Sequence, residues 1–374
     1  MKVAVFVPGF YESTIYALHL IPSESIRVCY PSLFMPKKIS NRMKEIQHYD
    51  NITMTPVTPN LPRIEPIKLF RGSYSLNSLY TFNTEEASNI INSSDIIVTI
   101  EPHTRYSSQI AKLATNSNKR LIVLSENDPS LGIPKLPPYN IYSKFVIGRA
   151  SAIGSATVLS DSYLTHLGVR HMDRVFVNAV NTDVYKPNDR DLLEHKILFV
   201  GHLELEKGFV TLIKALNKLA ECHSFSVFIV GDGTLVNILR DAKFRYKHFK
   251  FLPYLELIRL YRECDILVTP SESVRKYGIT VWTEVFGLSN LEAMSCGMAT
   301  VTSDCGNLPY VIQDKECVFK QGNWSELSEK LSALFENPEK IKRNGYSNRK
   351  YLEEMFNKMI IKKAWMRLIN ASTE

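Results

Sequence analysis

Two glutamates lie in one short segment whose pattern predicts a helix. Glu284 precedes the predicted helix and Glu292 lies two turns into it, with seven residues between them. Apolar residues recur at helical spacing through the segment, and Gly297 is a natural helix stop. Carboxylates accept hydrogen bonds from hydroxyl groups, and the free N–H groups of a helix N-terminus bind phosphate. The alternative is a pair of solvated carboxylates on an amphipathic helix.

A lysine precedes another predicted helix, nearer the centre of the chain. Lys207 follows the predicted strand Lys196–Val200 and stands directly before Gly208, with a helix predicted to begin near Phe209. A cation at such a place binds an anion together with the backbone N–H groups of the helix start. Taken alone, this segment supports a phosphate site and a solvated loop lysine equally.

Short apolar, β-branched runs alternate with stretches of helical periodicity along the chain. This alternation predicts βαβ units, parallel sheets and an α/β fold, with ligands at the carboxyl ends of the strands. The polar, charged piece at residues 186–191 predicts a linker. We therefore expect one domain over residues 1–187 and a second over 192–352. A closing helix is expected over 353–374, and it could pack back on the first domain. The predicted strands are Val3–Val7, Asp95–Ile100, Leu121–Leu124, Ala156–Leu159, Lys196–Val200, Phe225–Val230, Asp265–Val268 and Ala299–Thr302.

Length and composition exclude several classes of protein. The 374 residues are 45% hydrophobic and 22% charged, as in a soluble globular protein of two domains. The first apolar run is broken at Pro8 and no run approaches the ~20 residues that span a bilayer, so we expect a soluble, cytoplasmic protein. The six cysteines form no CxxC pair, and a net charge of +7 is too small for a dedicated nucleic-acid binder. The only DxD sequence, Asp189-Arg190-Asp191, lies in the predicted linker, so no metal site is expected.

Several segments occur in an order and spacing that resemble the donor domain of retaining glycosyltransferases of family 4, which have the GT-B fold. That family carries two glutamates separated by seven residues, as Glu284 and Glu292 are, and residues 177–187 are similar to its interdomain segment. The resemblance is strong from about residue 156 to 320. It implies two Rossmann-like domains whose parallel sheets face an inter-domain cleft. The segments that carry it are FVGHLELEKG, VGDG, PS, EVFGLSNLEAMSCG and VTSDCGNLPYVI.

The resemblance implies a role for each matching residue of the second half. Lys207 binds the donor diphosphate, Glu284 holds hydroxyls of the transferred sugar, and Glu292 accepts hydrogen bonds from the ribose. The remaining donor-binding residues implied are Gly9, His202, Tyr254, Phe286, Gly287 and Leu288.

The chain departs from the family pattern at two places in the second half. Family members usually have arginine where this chain has His202, and a neutral histidine donates one hydrogen bond where a guanidinium offers a fork. The loop Glu272–Thr283 is longer than usual. Its Arg275 and Lys276 either supply the missing positive charge or belong to a mobile, solvated loop.

The first half is expected to bind the acceptor, through residues that follow its strands. Many family members place a histidine after the strand that corresponds to Leu121–Leu124, where this chain has Glu126. A carboxylate there orients the acceptor hydroxyl or stabilises positive charge at the anomeric carbon; the alternative is a turn or helix-capping role. His103, after Asp95–Ile100, is either a second catalytic candidate or an ordinary exposed histidine.

The expected activity is transfer of a sugar from a nucleotide-diphosphate sugar, UDP- or GDP-linked, to a hydroxyl of a glycan, a lipid-linked molecule or a small molecule. By resemblance the reaction retains the anomeric configuration. Because no DxD sequence follows a strand, we expect the reaction to need no metal ion, and no cofactor is expected. No nucleic-acid partner is expected. The stretch Tyr30–Glu45 mixes apolar and basic residues and predicts either a peripheral membrane contact or a solvated loop. The alternatives are another GT-B enzyme, such as a sugar-nucleotide epimerase, and a catalytically silent protein that binds nucleotide sugars.

Overall fold

A computed structural model describes residues 1–8, 12–32, 49–61, 79–128, 130–176, 178–188 and 194–372. Three features named above lie outside these residues: Gly9, the Asp189-Arg190-Asp191 sequence and most of the stretch Tyr30–Glu45. Within the described ranges, none of the helices has both the length and the apolar character needed to cross a bilayer.

The first half is built around one parallel sheet. Its strands are β1 Lys2–Phe6, β2 Ser25–Pro31, β3 Ile52–Val57, β4 Pro59–Asn60, β5 Thr81–Phe82, β6 Ile96–Ile100, β7 Arg120–Ser125, β8 Ala152–Ser155 and β9 Asp173–Arg174. Its helices are α1 Glu12–His19, α2 Thr84–Asn92, α3 Arg105–Asn116, α4 Tyr139–Ile147 and α5 Val158–His166. The described strands of the sheet follow the order β3-β2-β1-β6-β7-β8-β9, and β4 and β5 form a separate antiparallel pair.

This order makes β1 a topological switch point. The chain leaves β1 towards β2 on one side, and β6 pairs with β1 on the other. Every residue of β6 is buried, which explains its continuous apolar sequence, because helices cover both faces of such a sheet. Ligand-binding residues collect beyond the carboxyl ends of strands at a switch point.

The second half repeats this plan. Its strands are β10 Lys196–Val200, β11 Ser226–Val230, β12 Arg245–Phe249, β13 Ile266–Thr269, β14 Val274–Lys276, β15 Ile279–Trp282, β16 Ala299–Ser303 and β17 Val318–Phe319. Its helices are α6 Phe209–Leu219, α7 Tyr254–Glu263, α8 Leu288–Ser295, α9 Leu308–Val311, α10 Trp324–Phe335, α11 Pro338–Met355 and α12 Lys358–Ala371. The described parallel sheet has the order β12-β11-β10-β13-β16-β17, and the switch point lies at β10.

The chain divides into two compact units, each containing one of these sheets. The first unit comprises Met1–Ala179, Arg275–Val281 and Lys358–Glu374. The second comprises Val180–Val274 and Trp282–Asn357. The expected α/β class, with two Rossmann-like parallel sheets, is therefore confirmed.

One predicted strand is wrong, and one predicted loop has regular structure within it. The predicted strand Ala156–Leu159 does not form: β8 ends at Ser155, and Val158 and Leu159 already belong to α5. The side chain of Thr157 accepts a hydrogen bond from the Ser160 backbone N–H and caps this helix. The loop Glu272–Thr283 contains a β-hairpin formed by β14 and β15. The tip of the hairpin holds Tyr277 and Gly278, both at positive φ, which a tight turn between adjacent strands requires.

Candidate functional site

Lys207 and Glu284 form an ion pair in the second unit. The Lys207 Nζ lies 2.6 Å from Glu284 Oε2, and the Ser271 hydroxyl donates to the same oxygen at 2.8 Å. The Lys207 ammonium also lies 4.8 Å from the centre of the Trp282 ring, within cation–π range. Glu284 is only 13% exposed, so these groups replace most of the water that would otherwise solvate its charge.

The sequence brings these side chains together through a close approach of two loops. Lys207 ends a short 3₁₀ turn, and Gly208 then adopts a left-handed conformation with φ of 64° before α6 begins. A Cβ atom at Gly208 would stand 1.7 Å from the Pro270 carbonyl oxygen, so only glycine permits the two loops to approach. Pro270 and Ser271 follow β13, and this contact therefore places Lys207 beside Ser271 and Glu284.

Glu284 remains ionised in spite of its burial. Burial raises the pKa of this carboxyl group, but the Lys207 charge and hydrogen bonds from Lys207, Ser271 and the Gly287 backbone outweigh it, and the pKa lies below its ordinary value. A negative charge held among hydrogen-bond donors can accept hydrogen bonds from sugar hydroxyls, as the sequence predicts for this residue.

Glu292 is held by two tyrosines. The Tyr185 hydroxyl donates to Oε1 at 3.0 Å and the Tyr261 hydroxyl donates to Oε2 at 2.7 Å. Tyr254, one of the donor-binding residues that the resemblance implies, packs edge-on against Tyr185 with 5.8 Å between ring centroids. Tyr254 and Glu292 are thus in one aromatic and acidic cluster. Neither glutamate is the solvated surface carboxylate that the alternative interpretation required.

The helix start predicted after Glu284 is confirmed, with α8 beginning at Leu288. Gly287 is its N-cap at a φ of 64°, and the Gly287 N–H already donates to the Glu284 carboxylate. Phe286 is 6% exposed and packs edge-on against Phe356. His202 is exposed, on the loop that follows β10.

The first unit contains a second polar cluster, beyond the ends of β1, β6 and β7. Glu126 directly follows β7, and its Oε1 accepts a hydrogen bond from the Asn178 amide at 2.7 Å. The Asn178 Oδ1 accepts from the hydroxyls of Ser13, at 3.1 Å, and Thr14, at 2.7 Å, in the first turn of α1. Because both hydroxyls donate to Oδ1, the amide nitrogen must face Glu126. The Glu126 side chain is therefore positioned by this network and caps none of the described helices.

Glu101 and His103 complete the cluster. Glu101 adopts a φ of 67°, which is uncommon for a residue with a Cβ atom, and its Oε1 accepts the Glu126 backbone N–H at 2.9 Å. His103 is only 2% exposed, so its interpretation as an ordinary exposed histidine is wrong. The Asn127 amide nitrogen lies 2.8 Å from His103 Nδ1, and Glu101 Oε2 lies 3.5 Å from the same atom. We assign the shorter contact as the hydrogen bond, with the histidine nitrogen as acceptor.

The electrostatic environment of Glu126 is opposite to that of Glu284. Burial and the nearby negative charge of Glu101 raise the pKa of Glu126 from 4.5 to about 7, although the hydrogen bond from Asn178 lowers it. Near neutral pH this group is therefore partly protonated and can either donate or accept a hydrogen bond.

The sequence did not reveal the roles of Asn178, Tyr185 and Tyr261. Asn178 and Tyr185 lie in the segment that is similar to the family's interdomain sequence, so the sequence contained a signal that could have identified them as site residues. Tyr261 lies on the buried face of α7 and reads as an ordinary core residue. The described residues contain no group of three or more His, Cys, Asp and Glu arranged to hold a metal ion.

Comparison of the whole chain with solved structures identifies the fold. The HepE protein of Anabaena, whose crystal structure is in complex with UDP-glucose, superposes with a TM-score of 0.73 over 99% of this chain and 100% of that protein, at 16% sequence identity. The chain has the GT-B fold, in which two Rossmann-like domains each contain a parallel sheet.

Sequence comparison gives a family match for the second unit. The family model described as Glycosyl transferases group 1 matches residues 184–351. An uncharacterised glycosyltransferase of Methanocaldococcus jannaschii is 35% identical over 127 residues, which are 32% of this chain and 30% of that protein. D-inositol 3-phosphate glycosyltransferase of a Mycobacterium species is 26% identical over 202 residues, 48% of this chain and 43% of the relative. The similarity thus spans less than half the length of either relative.

Proposed function

We propose that the protein is a glycosyltransferase that moves a sugar from a nucleotide-diphosphate sugar, UDP- or GDP-linked, to a hydroxyl acceptor. The observation that carries this proposal is the cluster of Lys207, Ser271 and Glu284 beyond the second sheet. It lies within the residues that match the group 1 glycosyltransferases. The complex of HepE with UDP-glucose supports the class of donor.

Each donor-binding residue has a task that its surroundings suit. Lys207 has three N–H donors, so it can bond the diphosphate while one N–H stays on Glu284. Glu284, kept ionised, accepts hydrogen bonds from hydroxyls of the transferred sugar. Glu292 has acceptor capacity beyond its two tyrosine partners and binds the ribose hydroxyls.

The acceptor end of the reaction belongs to the first unit. Glu126 orients the acceptor hydroxyl or stabilises positive charge developing at the anomeric carbon. Its raised pKa makes this contribution dependent on pH near neutrality, since only the carboxylate form stabilises positive charge.

The transfer proceeds with retention and without a metal ion. Lys207 and the N-terminus of α8 neutralise the charge of the leaving diphosphate, a task that a divalent ion performs in other transferases. A leaving phosphate stabilised in this way can take the proton of the acceptor hydroxyl as the hydroxyl attacks from the same face. Activity should therefore persist in EDTA.

Two measurements test the proposal without a known acceptor. The first is thermal shift with UDP, GDP and ADP and with their sugar conjugates, since a ligand that binds only the folded state stabilises it. The second is proton NMR of slow donor hydrolysis by water, which reveals the configuration of the sugar as it is released. We expect one nucleotide class to stabilise the protein and the first product to have the donor's configuration.

Matched variants connect these results to the site. Lys207→Met removes the proposed diphosphate contact, and Lys214→Met removes an exposed lysine of the following helix as a control. Only the first should lose nucleotide stabilisation. The absence of stabilisation by every nucleotide would refute the donor site, and stabilisation without hydrolysis or transfer would favour a silent binding protein. Initial release of the inverted sugar would contradict retention.

A further inference from the structure

The last helix, α12, carries apolar residues on both of its faces. Its inner face contributes Ile361, Trp365 and Leu368, each fully buried, to the core of the first unit. Its outer face exposes Met359, which is 60% exposed, and Met366, which is 49% exposed. These two residues stand seven positions apart, so they lie on the same line along the helix surface.

Positive charge surrounds the two exposed methionines. The stretch between Glu354 and Glu374 contains no acidic residue, and its four cations all lie on the exposed part of the helix. Arg367 lies 3.5 Å from Asp173 of β9, whereas Lys362 and Lys363 make no ion pair with another described residue. The four cations are Lys358, Lys362, Lys363 and Arg367.

Another helix of the same unit shows the ordinary pattern. Helix α3 also buries one face, but the residues it exposes are all polar: Arg105, Lys112, Thr115 and Asn116. Single exposed apolar side chains are normal, but two in line, framed by cations on a helix whose other face is buried, indicate an interaction surface.

We propose that the outer face of α12, defined by Met359, Lys362, Lys363, Met366 and Arg367, binds the surface of an anionic phospholipid membrane. The helix remains packed on its core while the methionines enter the headgroup boundary and the cations lie among lipid phosphates, reached by their flexible stems. The charge complementarity selects an anionic bilayer, and the methionines distinguish it from a soluble polyanion. None of these five residues belongs to the donor or acceptor clusters described above.

Vesicle flotation with the full chain tests this proposal. The probes are phosphatidylcholine vesicles with and without phosphatidylglycerol, and heparin serves as a soluble polyanion. Of the two kinds of vesicle, we expect binding only to those that contain phosphatidylglycerol, and we expect salt to weaken it. Lys362→Glu with Lys363→Glu should reduce vesicle affinity by at least about 30-fold, from about 1 kcal/mol per lost cation.

Two further variants identify the surface and its occupant. Met359→Gln with Met366→Gln should reduce vesicle affinity by about tenfold and leave heparin binding unchanged, because only a bilayer buries apolar side chains. Lys112→Glu with Lys144→Glu makes the same change in charge on exposed positions of α3 and α4 and should have little effect. Circular dichroism confirms that each variant is folded.

Three results would overturn the proposal. The first is failure of the unmodified protein to bind anionic vesicles. The second is an equal loss of vesicle affinity in the lysine variant of α12 and in the control variant of α3 and α4. The third is a methionine pair whose replacement leaves vesicle binding intact, which would make the face a site for soluble polyanions only.

Discussion

Replacement of Glu126 by glutamine should stabilise the protein at alkaline pH while it lowers turnover. Glutamine keeps an oxygen that accepts the Asn178 N–H and removes the charge that burial and Glu101 disfavour. The rise of the Glu126 pKa from 4.5 to about 7 corresponds to about 3 kcal/mol of unfavourable free energy for the ionised form in the folded state. Because Glu126 is not completely buried, solvent reduces the expected gain to about 1–3 kcal/mol.

The raised pKa of Glu126 determines how the stability of the protein should change with pH. A carboxyl group whose pKa is raised by folding contributes stability that is complete below pH 4.5 and is lost as the pH rises through about 7. The unmodified protein should therefore lose this contribution between pH 5 and pH 8, in the window set by the two pKa values. The Gln variant has no titrating group at this position. The difference in free energy of unfolding between the variant and the unmodified protein should therefore grow across the same window.

Urea unfolding of both proteins at pH 5 and pH 8 measures the effect. Titrating groups common to both proteins contribute equally to their free energies of unfolding, so their contributions cancel when the two values are subtracted at each pH. Glu85→Gln, at an exposed position of α2, is the control and should show no such difference. Turnover of Glu126→Gln should fall with donor affinity intact. A stability difference between the Gln variant and the unmodified protein that is the same at both pH values would refute the assigned environment of Glu126. Unchanged turnover would remove Glu126 from the reacting centre.

Three other predictions concern the second unit. Lys207→Ala should weaken nucleotide-diphosphate binding by about 1.5–3 kcal/mol in calorimetry; unchanged binding would remove Lys207 from the site. Glu292→Gln should weaken binding of the nucleotide diphosphate and of the whole donor, as Tyr261→Phe should to a lesser degree, whereas Glu284→Gln should spare the nucleotide and reduce turnover and discrimination among sugars. Titrations with both ligands separate these cases, and equal behaviour of the two glutamate variants would contradict their assignment. Turnover should persist in EDTA, and its complete loss with recovery on adding Mg²⁺ or Mn²⁺ would contradict the metal-free mechanism.

Much of the fold could be predicted because its signals are local. The buried strands of parallel sheets are continuous apolar runs, and β10 has the predicted bounds Lys196–Val200. The start of α8 followed from the helical spacing of its apolar residues. Ala156–Leu159 was misassigned because a β-branched, apolar run and the capped start of a helix look alike until the hydrogen bond of Thr157 is known. The hairpin of β14 and β15 has no long apolar run to reveal it.

The partners within the candidate sites could not be predicted, because they depend on distant parts of the chain. Lys207 and Glu284 are 77 positions apart, and their contact requires the approach of two loops that Gly208 permits. Asn178 and Glu126 are 52 positions apart. The sequence identified which residues carry reactive groups, but their protonation depends on neighbours that only the folded chain supplies.

The two units hold carboxylates whose environments shift their pKa values in opposite directions. Glu284 is kept ionised by Lys207, Ser271 and a backbone N–H, whereas Glu126 is driven towards its neutral form by burial and Glu101. Carboxylates with separated pKa values suit different tasks: the first holds hydroxyl groups at every physiological pH, and the second changes its charge near neutrality. Donor binding through Glu284 should consequently stay constant between pH 6 and pH 8, while turnover changes as Glu126 titrates near pH 7. Parallel changes in binding and turnover over this range would show that one group controls both steps, and the separate roles assigned to the two glutamates would then be wrong.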